Sequence, residues 1–179
     1  MIQLLNDIFR LEDEKRFDKA FAIYNQLYKN DPTDYVVWKH FYFFLWLAIE
    51  DAPENFHERV NSRQLMQEML NDGKKHFSSI ADFNFIAGYT VSIFPYEYGD
   101  YVELEKEANE MLHKATKLEQ DNLIYRLVYL GSIPNVDHKL YRQAEIDSAP
   151  EVLKTFDGNG GLNKYFKQIL YLLDKPANR

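Results

Sequence analysis

The chain contains no cysteine. That rules out disulfides, thiolate zinc sites and cysteine nucleophiles within it. Glycine (7) and proline (6) are scarce among the 179 residues, as suits long helices joined by short turns. Gly-x-Gly-x-x-Gly fingerprints, Gly-Lys-Ser/Thr loops and Gly-x-Ser-x-Gly elbows are all absent, so no nucleotide-binding or hydrolase motif is present. Long apolar runs are missing too: the longest, Phe41 to Ile49, is nine residues and follows Lys39 and His40. About 20 are needed to span a bilayer. The opening Met-Ile-Gln-Leu-Leu-Asn-Asp has no basic region and no sustained apolar core, so a signal peptide is not expected and a cytoplasmic location is.

Basic charge is also in short supply. The 21 Lys and Arg are outnumbered by 28 Asp and Glu, for a net charge of −7. Such a surface repels phosphate backbones and anionic lipid, so neither nucleic acid nor membrane is expected as a partner. It favours a basic protein.

What is abundant is aromatic. Thirteen Tyr and 13 Phe help bring the aromatic share to 16%, and apolar residues recur at helical spacing along most of the chain. Helices are expected at roughly 2–12 and 15–30, the second presenting Phe17, Ala20, Phe21, Tyr24, Leu27 and Tyr28 on one side. Asn30-Asp31-Pro32 ends it, because a residue before proline is pushed out of the helical region. Asp34 is placed to cap a third helix, about 35–51, which is apolar almost all round. Such a helix is central or covered on both sides; were one side open, Trp46 would mark a sticky partner patch. Pro53 starts a helix expected to run to Asn71 and stop at Asp72-Gly73. Ser79 is read as the cap of a helix over about 80–94, whose Ala87-Gly88 pair suits close helix packing. Asp100-x-x-Glu103 reads as a capping box for a helix to about Glu119.

Further helices are expected near 122–131, 137–147, 149–157 (with Ser148-x-x-Glu151 as another box) and 162–173, where Leu173 helps to seal the end. Sustained period-two alternation is absent, so little or no sheet is expected. The chain reads as one all-α domain, 1–179, of about nine helices in antiparallel pairs.

The segment Phe17 to Trp38 resembles a known architecture. Phe17, Ala20, Tyr24, Leu27 and Pro32 fall at spacings of three, four, three and five, similar to the second helix of a tetratricopeptide repeat. Trp38, Phe41, Tyr42 and Leu45 stand where the next repeat's first helix has its large residues. Leu27 replaces a usual Ala, and Tyr42 a usual Gly. The spacing returns at Ala108, Leu112 and Ala115, an offset of 88 residues that is not a multiple of the family period of about 34. The resemblance, clearest over 1–50, implies an irregular α-solenoid that binds protein, with no substrate and no cofactor.

Two Glu-x-x-His motifs, Glu54 to His57 and Glu110 to His113, are half of a di-iron carboxylate ligand set. On the 100–119 helix, however, the apolar stripe Leu104, Ala108, Met111, Leu112, Ala115 and Leu118 puts Glu110 and His113 on the opposite side, and Glu54 suits the helix dipole. Neither a metal site nor a catalytic residue is assigned. The five histidines (His40, His57, His76, His113, His138) form no His-x-x-x-His pair, and His138-Lys139-Leu-Tyr-Arg142 is followed at once by Glu145 and Asp147.

The informative charge is acidic. Glu97, Asp100, Glu103, Glu105, Glu107 and Glu110 fall within fourteen residues, against the single Lys106. Glu103, Glu107 and Glu110 share one helix face, just after Tyr96 and Tyr98 in a loop bounded by Pro95 and Gly99. Tyr96, Tyr98, Asp100, Glu103, Glu107 and Glu110 are therefore the expected docking edge for a basic protein. The most concrete function is an immunity protein that neutralises a basic, nuclease-like bacterial toxin. The alternatives are an adaptor or chaperone in a larger assembly and, more remotely, an enzyme whose site has no motif.

Overall fold

The computed structural model describes residues 2–171, apart from the Ile2 side chain. Among these residues there are ten α-helices and no strand. They are α1 (Ile2–Asp13), α2 (Phe17–Asn30), α3 (Tyr35–Asp51), α4 (Glu54–Val60), α5 (Ser62–Phe77), α6 (Ala81–Ile93), α7 (Tyr101–Leu118), α8 (Leu123–Ser132), α9 (His138–Thr155) and α10 (Gly161–Leu170). A single 3-10 turn, Pro95–Glu97, joins α6 to α7. The protein is all-α. Leu173, expected to help seal the C-terminal end, lies outside the described residues.

Helices α3, α7, α8 and α9 start where short polar side chains meet free backbone amides. Asp34 accepts from the amides of Val36 (2.9 Å) and Val37 (3.1 Å). Asp100 does the same for Val102 and Glu103, and Asn122 for Ile124 and Tyr125. Each cap satisfies donors that the first turn leaves orphaned.

Helix α3 is the hub, in contact with α2, α5, α6 and α10. Val37, Trp38, Ala48 and every residue from Phe41 to Trp46 are buried. Trp46 forms no open patch; it is 2% exposed, and its Nε1 donates to the Thr90 carbonyl at 3.2 Å. The Trp38 Nε1 likewise donates to the Met69 carbonyl at 2.8 Å. Both indoles bury a large ring without stranding a donor.

Three boundaries depart from the sequence reading. The helix expected over 53–71 is two, broken at Asn61, whose left-handed φ of 49° and ψ of 52° turn the chain. Gly73 does not stop α5 but lies inside it: a Cβ there would sit 2.5 Å from Phe83 Cε2 and 2.9 Å from Trp38 Cζ2. Glycine is required because two rings press on the helix backbone. The segments expected as 137–147 and 149–157 are one helix, α9, with Pro150 inside it. Ser148 is no cap; it is buried, and its Oγ donates to the Glu145 carbonyl. Nor does Ser79 cap α6, whose start carries no side-chain cap bond; Asn84 Nδ2 donates to the Ser78 and Ile80 carbonyls there.

Candidate functional site

The expected docking edge runs from the α6–α7 connection into the first turns of α7. Tyr96 is 57% exposed, with its ring 5.9 Å from that of Phe94. Tyr98 turns the other way. Its hydroxyl accepts from the Tyr42 hydroxyl at 2.7 Å, and burial raises its pKa well above the usual range. Tyr98 thus anchors the connection to α3, and Tyr96 is the ring presented outward.

The acidic residues divide in the same manner. Asp100 is spent largely as the α7 cap. Glu107 holds Lys74 of α5 at 2.5 Å, and Glu110 faces Lys106 at 3.8 Å. Glu97 is gripped by Arg63 through Nε (2.8 Å) and Nη2 (3.1 Å). Among the described residues, no cation lies within ion-pair distance of Glu103 or Glu105, both exposed. Beside them stand apolar side chains that sequence patterning did not single out: Ile93, Tyr101 and Val102 are 43%, 56% and 72% exposed. Tyr101 continues the Leu104, Ala108, Met111 stripe by one turn, but the stripe outruns the core there. Val102 lies off the stripe altogether, a signal legible in the pattern.

The two Glu-x-x-His motifs do not converge. His57 Nδ1 is 2.8 Å from Ser62 Oγ, and the His113 ring stacks on Tyr129 at 5.0 Å. Among the described residues, no group of three His, Asp or Glu is placed to hold a metal ion.

A second constellation, centred on Glu12, was not singled out. Leu5, Ile8 and Phe9 face the core from α1, and Glu12 follows at the next position of that stripe, a carboxylate where the period calls for an apolar residue. Its Oε1 accepts from the Tyr24 hydroxyl at 2.7 Å and its Oε2 from the Gly161 amide at 2.8 Å. Burial pushes its pKa up to about 7, against the opposing pull of those two bonds. Glu12 lines a cavity of about 240 Å³ walled by Phe17, Phe44, Leu47 and Ala48, with Asp13, Lys15 and Asp51 also lining it. A second cavity, about 360 Å³, shares Lys15 and Phe17 with it.

No protein-family model, curated protein or solved structure matches the chain.

Proposed function

We propose that the protein is a non-enzymatic helical binding domain that engages a basic protein partner through the α6–α7 connection and the first turns of α7. One observation carries this reading: Ile93, Tyr96, Tyr101 and Val102 are all exposed at the end of α6, the connection and the first turn of α7, the segment that also carries Glu103 and Glu105, for which no ion pair is found among the described residues. Aromatic and aliphatic side chains ringed by charge are the composition of a docking patch, with contact area at the centre and steering at the rim. In its most concrete form the protein is an immunity protein, occupying the phosphate-binding cleft of a nuclease-like toxin in place of nucleic acid. The N-terminal third is read as tetratricopeptide-like, since Ala20, Tyr24 and Trp38 are all buried at the family's spacing and α1, α2 and α3 follow one another across short turns.

The test is capture of the partner from the native host, followed by titration of the purified pair. Glu103→Lys with Glu105→Lys, and separately Tyr96→Ala with Val102→Ala, should each weaken binding by about ten- to a hundredfold, with the charge reversals acting mainly on the association rate. Binding that is unchanged in both pairs of variants would place the interface elsewhere. Co-expression of a captured toxin with the wild-type protein should restore growth, and the charge-reversed form should not.

A further inference from the structure

The cavity at the end of α1 shares no lining residue with the α7 edge. Two of its rim carboxylates are already matched: Lys164 pairs with Asp13, and Lys15 faces Asp51 at 3.6 Å. Glu12 differs. Both of its bonds come from neutral donors, Tyr24 and the Gly161 amide, and among the described residues no cation is within ion-pair distance of it. A carboxylate offers about four acceptor sites, so Glu12 has capacity for a further donor. Burial disfavours its charged form, and Lys164, paired with Asp13, offsets this only in part; a bound cation would supply the missing charge. Asp13 and Asp51 on the rim disfavour an anion.

We propose that this cavity binds a small organic cation, a primary amine on an apolar body, with the ammonium on Glu12 and the body against Phe17, Phe44 and Leu47. At about 240 Å³ the space suits one ring or a short alkyl chain, below the usual size range of drug-like sites. The neighbouring cavity, reached past Lys15 and Phe17, gives room for a longer tail.

The site also implies a proton. Glu12 titrates near neutrality, and an ammonium beside it favours the ionised form, so binding below pH 7 releases a proton. The charged and titratable groups around it are Asp13 on α1, Lys15 in the α1–α2 turn, Tyr24 on α2, Asp51 on α3 and Lys164 on α10. Tyr24 stays protonated, its pKa raised by burial.

Isothermal titration calorimetry with benzylamine and benzyl alcohol on the full chain tests the site. The amine should bind wild-type protein at least about tenfold tighter than the alcohol at pH 8, and its affinity should fall roughly tenfold at pH 6. Glu12→Gln keeps an acceptor for the Gly161 amide and a partner for Tyr24. It should reduce the amine to the alcohol's affinity and remove the pH dependence. Equal binding of amine and alcohol to the wild type would overturn the proposal without reliance on any variant. So would absence of amine binding at about 20 mM, or full amine affinity in Glu12→Gln. None of these outcomes bears on the α7 edge.

Discussion

At the residue scale, Glu12 and Gly73 show how one side chain, or its absence, sets a local balance. A group whose folded pKa lies above its unfolded value stabilises the fold below the unfolded pKa, and that contribution is lost as pH rises through the folded one. For Glu12 the window runs from 4.5 to about 7. Its ionisation therefore costs roughly 2–3 kcal/mol between pH 5 and pH 8. His40 opposes this: burial beside Lys39 lowers its pKa to about 4, so its contribution is present above 6.5 and lost as pH falls. Urea titrations should find Glu12→Gln more stable than wild type at pH 8 and the difference small at pH 5; a difference that does not vary with pH would contradict this assignment. Gly73→Ala places a methyl group 2.5 Å from Phe83 Cε2, and overpacking of that kind costs about 1–3 kcal/mol. A shift in urea midpoint at constant m-value would report it.

At the scale of the element, the parts legible in sequence were those written in local chemistry. Pro32 and Asp34 bracket the α2–α3 turn, and Asp100 opens α7, because a cap or a proline acts on its own few residues. The misread boundaries depend on partners distant in the chain. Gly73 looks like a stop until Trp38 and Phe83 arrive to need its missing Cβ. Pro150 looks like a break, yet Ser148, Ala149 and Val152 are buried on one continuous helix. Packing there outweighs the local penalty. Replacing Pro150 by Ala should return a backbone donor to α9 and raise stability by about 1–2 kcal/mol, read from the thermal midpoint. Asn61 was missed for another reason: the apolar period continues past it, and nothing local announces a left-handed residue. Asn61→Ala should cost about 1 kcal/mol, while Asn61→Gly should be nearly neutral. The same division holds at the proposed docking edge. Local pattern found the acidic run and Tyr96, but only three-dimensional placement showed that Tyr98 serves Tyr42 and that Glu107 is matched by Lys74. Tyr98→Phe should therefore lower stability by about 1 kcal/mol and leave partner affinity unchanged, and Tyr96→Ala should do the reverse.

At the scale of the whole molecule, one core cluster takes side chains from α1 through α10, and its first and last described helices touch. Glu12 receives the Gly161 amide across 149 residues, and Asp13 pairs with Lys164 across 151. During synthesis the chain emerges from the ribosome in order, so α1 can settle on α2 and then α3 early, but its α10 partner is still unmade. At about 5–20 residues per second the wait is roughly 7 to 30 seconds. Throughout that interval the Glu12 carboxylate lacks the Gly161 amide, and the core face of α3 lacks α10. A nascent chain stalled before Gly161 should therefore remain open to protease at α1, and emergence of α10 should close it. The contact between α1 and α10 is thus one that the chain makes late, only after α10 has been translated.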